Sequence, residues 1–196
     1  PDKQLSLTDP DARSMKTRGT GIVGYNVQTA VDAQHHLIVS HKVTNAGSDR
    51  SQLSAMALQA QQAMASEDLS VVADRGYYKS EEILACHEAG IIPYVPKAQT
   101  SGNQAKGLFG RNQFHYDAAT DTYRCPVGER LKWRITSQEN GLTLHRYWSS
   151  NCQGCALKSQ CTTGKERRVT RWEHEAVVEA MQTRLDHNPE VMQTRR

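Results

Sequence analysis

Nowhere in this 196-residue sequence do apolar residues run close to the roughly 20 in succession that a membrane-spanning helix needs. No charged-then-apolar leader opens at Pro1, and no membrane partner is expected. A strong net charge is missing too. The 24 Lys and Arg against 21 Asp and Glu leave only +3, so the whole-chain balance selects no partner. There is no even set of cysteines: five are present, four of them after residue 124. That pattern fits a reducing compartment with a metal site better than a disulfide framework. Internal repeats are absent as well. What is present, 37% hydrophobic and 23% charged residues, suits one core of ordinary size, or one core with a small module.

Charge is unevenly spread. Between Tyr123 and Trp172 stand ten Lys and Arg against three Glu, a net of +7, which leaves −4 for the rest of a chain whose total is +3. A basic segment points to an anionic partner such as nucleic acid, although a solvated basic surface has the same composition.

Residues 1–97 read as alternating strands and helices. Residues 24–33 and 36–43 form a hairpin pattern across a short polar link, with Tyr25, Val27, Thr29 and Val31 on one face. Residues 51–65 place Leu53, Met56, Ala57, Ala60, Ala63 and Met64 at helical spacing. Residues 69–73 form a short buried strand, and Ser80 caps a helix that stops at Gly90. Residues 91–95, with Pro93 inside, form an edge strand. Residues 98–113 are Gly-, Gln-, Ser- and Lys-rich and read as a mobile linker. Residues 114–172 hold short β-like pieces and the cysteines. Residues 173–196 begin with an amphipathic helix presenting Val177, Val178, Met181 and Leu185, read as returning to the first unit. The alternation implies an α/β domain with a mixed sheet, compatible with an RNase H-like layout among other α/β folds.

Two aspartates follow strand candidates directly: Asp9 after Leu5–Thr8, and Asp74 after Leu69–Ala73. Ligand sites of α/β sheets gather at strand ends. Two carboxylates brought together there repel unless a divalent cation holds both ionised. Such ions activate a water or a 3′-hydroxyl and stabilise the leaving oxygen in phosphodiester chemistry. The plainer reading is that Asp9-Pro10 opens a turn and Asp74–Gly76 ends a strand.

Cys152 and Cys155 form a C-x2-C pair, with Cys161 after them and Cys125 before. Four thiolates suit a tetrahedral Zn²⁺ site, with His145 as a substitute ligand. An iron–sulfur cluster uses the same ligand type, and free thiols or a redox pair are the plainer alternative. Cys86 reads as a small core residue. Trp133, Tyr147 and Trp148 lie among the basic residues, either as stacking surfaces for bases or as the small core of the module.

The ordered motifs SLTDPDAR (6–13), Met15-Lys16, GYNVQTAVD (24–32) and VVADRGY (71–77), with the tail 171–196, resemble one group of insertion-sequence DDE transposases across nearly the whole chain. The resemblance implies an RNase H-like catalytic domain with an Asp, Asp, Glu triad and a cysteine-rich β insertion between the second Asp and the Glu. Asp9 matches the first Asp, with Asp11 the competing choice, and Asp74 matches the second. Both are expected to bind Mg²⁺ or Mn²⁺. The family's Glu is expected a few residues beyond a run like Gln193–Arg196, so the chain reads as truncated before its third carboxylate and inactive alone. Glu173, Glu175, Glu179 and Glu190 are poor substitutes.

Asp49 and Tyr77 are expected beside DNA or the site, with a turn or cap as the simpler role for Asp49. Arg130, Lys132, Arg134, Arg146, Lys158, Arg167, Arg168 and Arg171 are expected to meet phosphates. Implied partners are transposon ends and target DNA, and further copies of the chain in the active complex. The implied location is the bacterial cytoplasm, at the nucleoid. The implied activity is strand cleavage followed by 3′-hydroxyl strand transfer. The rival reading is a zinc-stabilised DNA-binding remnant without catalysis.

Overall fold

The computed structural model of the chain describes residues 6–17, 19–97 and 102–193. The chain divides into two compact units, residues 1–98 with 176–196, and residues 99–175. Among the described residues no helix is long and apolar enough to cross a membrane.

The first unit opens with an antiparallel hairpin, β1 (Arg13–Thr17) and β2 (Thr20–Gly24), which the sequence reading did not foresee. A second hairpin follows, β3 (Asn26–Val31) and β4 (Ile38–Thr44), in the register Val27 opposite Val43 and Thr29 opposite His41. It forms where β-branched residues alternate with polar ones. The face carrying Val27 and Val31 is the exposed one: Val27, Val31, Ile38 and Val43 are each about half or more exposed. The inward face of β3 carries Gln28, only 2% exposed. Side-chain hydrogen bonding at that position outweighs the hydrophobic count.

Helix α1 (Leu53–Met64) packs on β3 and β4 through Leu53, Met56, Ala57 and Ala60, whereas Met64 is exposed. Its own N-cap, Gln52, makes no side-chain cap bond. Glu82 serves instead, accepting from Ser54 N at 2.9 Å and Ser54 Oγ at 2.6 Å, a carboxylate at the positive end of a helix. Strand β5 (Ser70–Val72), helix α2 (Ser80–Glu88) and strand β6 (Ile92–Tyr94) form a parallel β–α–β unit. Lys79, not Ser80, is the N-cap residue of α2. Ile83 and Cys86 on α2 are buried.

Among the described residues the single mixed sheet expected from the alternation is not formed. Strands β1–β2, β3–β4 and β5–β6 are three separate two-stranded sheets. The piece at Leu5–Thr8 is no strand either: residues 6–8 are irregular, and Leu5 lies outside the described residues.

The second unit is an antiparallel sheet of order β11-β10-β9-β8-β7. Its strands are β7 (His115–Asp117), β8 (Thr122–Arg124), β9 (Arg130–Glu139), β10 (Leu142–Trp148) and β11 (Val169–Trp172), with the one-turn helix α3 (Lys158–Cys161) before the last. Strands β9 and β10 turn at Asn140-Gly141, both at positive φ (52° and 81°), the Asn-Gly pairing that tight hairpins favour. Phe114, Tyr123, Leu131, Tyr147 and Val169 make the core. The described part of the expected linker is ordered into two short 3-10 turns, at Gln104–Lys106 and Arg111–Gln113, and Phe109 packs on that core. Residues 98–101 lie outside the described residues.

Helix α4 (Glu175–His187) buries Val178, Met181 and Leu185, a helical stripe. From Ala176 it belongs to the first unit.

Candidate active site

Asp74 lies just past β5 and opens a 3-10 turn, Arg75–Tyr77, by accepting from Gly76 N at 2.8 Å. Asp49 opens another, Asp49–Ser51, before α1. The two meet across Gly76. A Cβ placed on Gly76 would sit 2.8 Å from Asp74 Oδ1 and 3.9 Å from Asp49 Oδ2. A side chain at this position would press on the Asp74 carboxylate and lie in ordinary contact with that of Asp49.

Asp49 is held from behind. Its Oδ1 accepts from Asn26 Nδ2 and from Gln28 Nε2, both at 2.7 Å. Gln28 Nε2 also donates to Asn26 Oδ1 at 2.9 Å, and Gln28 Oε1 accepts from the Tyr77 hydroxyl. Burial, then the charges of Asp49 and Asp74, raise the Tyr77 phenol above its ordinary pKa. The Asp49 carboxylate can only accept, so both amides turn their N–H groups to it and Gln28 Oε1 to the Tyr77 hydroxyl, which gives the network one orientation. Asp49 thus keeps Oδ2 on the side facing Asp74, while Oδ1 is fixed by two amides. Beside it lies a cavity of about 540 Å³ with Thr29, Val39, Met56, Val71, Asp74 and Tyr77 in its wall.

Asp9 stands in different surroundings. Its Oδ1 accepts from Asp11 N at 3.1 Å and Ala12 N at 3.3 Å, and both carboxylate oxygens accept from the Tyr25 hydroxyl, at 3.0 and 2.9 Å. That hydrogen bond is the main reason the Tyr25 phenol titrates above its ordinary value. Asp9 precedes β1 rather than following a strand, and the β1–β2 sheet shares no strand with β5–β6. A turn holds the Asp9 carboxylate locally. Asp11 is exposed beside it, its backbone N–H taken up in the same turn.

Sequence reasoning placed Asp49 and Tyr77 near the site but missed Asn26 and Gln28. The available signal was the Asn-x-Gln spacing: two amides two residues apart share one face of a strand.

The donor types at Asp49 and Asp74 suit a hard cation such as Mg²⁺, which takes one or two protein carboxylates and keeps several waters. Among the described residues no group of three or more His, Cys, Asp or Glu side chains could hold a metal ion. The zinc expected on Cys125, Cys152, Cys155 and Cys161 is therefore unsupported. The second unit does not depend on it for a core. Cys125 and Cys161 pack as small apolar groups against the Phe114–Val169 cluster. Burial pushes the Cys161 thiol pKa up, against a lowering pull from Arg167. His145 is occupied otherwise, bonded to Thr136 Oγ1 at 2.9 Å and edge-on to Trp133.

The basic residues sort into two groups. Arg171 is only 7% exposed and lies 3.7 Å over the Tyr116 ring, and Arg167 lies over Phe114 and donates to the carbonyls of Cys161 and Phe109. Both pack against the aromatic core, Arg171 buried and Arg167 half-buried. Tyr147, 2% exposed, is likewise core rather than a stacking surface. Arg130, Lys132, Arg134 and Arg168 are exposed. Lys158 is half-buried at the start of α3, and Arg146 is ion-paired with Glu139.

No curated protein and no solved structure is significantly similar to the chain. A family model described as a transposase DDE domain matches residues 2–184. With that match spanning nearly all of its length, and with an aspartate closing a parallel β–α–β strand in a carboxylate-bearing site, the chain belongs to the transposase DDE domain family.

Proposed function

We propose that this chain supplies part of a metal-dependent centre for DNA strand cleavage and 3′-hydroxyl strand transfer, with Asp74 and Asp49 as its carboxylates. The observation that carries the reading is the opening at Gly76, where both carboxylates approach one point. Asp74 and Asp49 are the residues that would hold a divalent cation. When bound, such an ion lowers the pKa of a coordinated water or hydroxyl and stabilises the leaving oxygen of a phosphodiester. The chain's own part is orientation. Asn26 and Gln28 fix one oxygen of Asp49, Tyr77 fixes Gln28, and the Gly76 amide fixes one oxygen of Asp74. Preorganised ligands of this kind spare the site reorganisation during reaction. The order hairpin, α1, β5, α2, β6 is that of an RNase H-like core, and DNA is the partner.

The test is titration of the chain with Mn²⁺, followed by its electron spin resonance signal. Wild type should bind, and Asp74→Asn and Asp49→Asn should each lose at least about tenfold in affinity. Equal affinity in Asp74→Asn would overturn the proposal. Displacement of bound Mn²⁺ by excess Mg²⁺ provides the second readout, with no displaceable Mn²⁺ expected in Asp74→Asn. DNA binding without any Mn²⁺ binding would favour a binding remnant.

A further inference from the structure

The strands of the second unit carry a cationic surface that its folding does not require. Tyr123, Leu131 and Tyr147 point into the core, so the residues alternating with them on β8, β9 and β10 stand on the opposite face. The register places these in two cross-strand rows. His115 is opposite Arg124, and Arg124 is opposite Arg130. In the next row Asp117 is opposite Thr122, Thr122 opposite Lys132, and Lys132 opposite Trp148. His115, Arg124, Arg130 and Lys132 are all exposed.

Arg168 completes the surface. Its guanidinium lies 4.8 Å over the Trp148 ring and pairs with Glu166 at 2.9 Å, so its charge is held close to Lys132. Asp117, at the rim of the second row, is turned to its own loop, where it accepts from Thr120 Oγ1 at 2.8 Å and Ala119 N at 3.1 Å. Two arginines directly opposite on neighbouring strands destabilise a sheet. A fold gains nothing from Arg124 facing Arg130, but a polyanion does. With strands about 4.8 Å apart, the first row spans about 10 Å, enough to follow successive phosphates of one strand, whose charges recur about every 3.4 Å along the axis.

We propose that the outer face of the β7–β10 sheet, through Arg124, Arg130, Lys132 and Arg168, is a docking surface for the phosphate backbone of DNA. It contacts the backbone rather than base edges, so it binds without sequence preference. The proposal rests on DNA being the partner of this chain and adds to it where the DNA lies and that Arg124, which motif reading did not single out, is in contact.

The experiment is fluorescence anisotropy of the chain with labelled duplexes of two unrelated sequences over a salt series. Wild type should show a linear fall of log affinity with log salt. The triple variant Arg124→Gln/Arg130→Gln/Lys132→Gln should lose about two to three units of that slope on both sequences. Lys106→Gln, an exposed basic residue of the same unit off this sheet, should leave the slope unchanged. Arg124→Lys/Arg130→Lys should keep it, which separates lost charge from lost folding. An unchanged slope in the triple variant overturns the surface, and so does an equal loss in Lys106→Gln. Mn²⁺ titration of the wild-type chain separates the two proposals: no Mn²⁺ binding with the salt slope intact sinks the metal centre and leaves this surface standing.

Discussion

At the scale of single residues, the site is built from polar groups that each lack an alternative. Gln28 is buried on the inward face of a strand, a place a hydrophobic residue would normally fill. Its amide is consumed on both sides, by Tyr77 and by Asp49. Replacing Tyr77 by Phe leaves Gln28 Oε1 buried without that donor, an expected cost of about 1–3 kcal/mol, measurable by urea unfolding. Gly76 is constrained by space: a methyl group there would collide with Asp74 Oδ1 at 2.8 Å. Gly76→Ala should displace that carboxylate and weaken Mn²⁺ binding at least about tenfold while shifting the melting temperature little. A full melting-temperature loss with intact metal affinity would contradict this.

Titration belongs to the same scale. The phenols of Tyr77, Tyr116 and Tyr147 are all raised above the ordinary 10.0, with burial the first cause in each. A raised folded value means the unfolded chain releases its proton first as pH climbs. Stability is then intact below the ordinary value and declines as pH rises through it and beyond. The melting temperature should drop between about pH 9 and pH 11, and Tyr147→Phe should flatten that drop. A melting temperature that does not fall over this range would rule the linkage out.

At the scale of elements, the notable contacts cross between segments distant in sequence. The N-terminus of α1 is capped by Glu82 of α2, so Glu82→Ala should cost about 0.5–2 kcal/mol, even though both helices would keep their own propensities. In the second unit Leu131, 1% exposed, is at the centre of a small core. Leu131→Ala should cost about 2–5 kcal/mol, seen as an earlier urea transition. The structure also explains why zinc was the natural expectation and why the core does not call for it. The cysteine spacing reads as a knuckle, but the aromatic residues Phe114, Tyr123 and Tyr147 are scattered over 34 positions of sequence and gather only when five strands pair. Strand β9, paired with β8 on one side and β10 on the other, is the piece that brings Tyr123 and Tyr147 together.

At the scale of the whole molecule, charge and chemistry divide between the units. The carboxylates proposed to hold the metal, Asp49 and Asp74, belong to the first unit, and the cations proposed to meet DNA, Arg124, Arg130, Lys132 and Arg168, belong to the second. Chelation of divalent ions with EDTA should therefore strip Mn²⁺ from the carboxylates and leave the salt-dependent binding of DNA in place. Loss of both together would deny that division.

Much of this protein was legible before any fold was known. The helical stripes of α1 and α4, the β3–β4 hairpin, the strand ending just before Asp74 and the concentration of positive charge are local patterns. They rest on periodicities of two and 3.6 residues that a sequence displays directly. The ordered motifs were specific enough to name the family. What only the tertiary structure decided is pairing: that Asp49 approaches Asp74 across Gly76, that Gln28 rather than a valine turns inward, and that Arg124 and Arg130 are neighbours while Arg171 is buried over Tyr116. The physical reason is common to all of these. Which side chains meet depends on strand register and on turns joining segments far apart in sequence, and a shift of one residue exchanges the two faces of a strand.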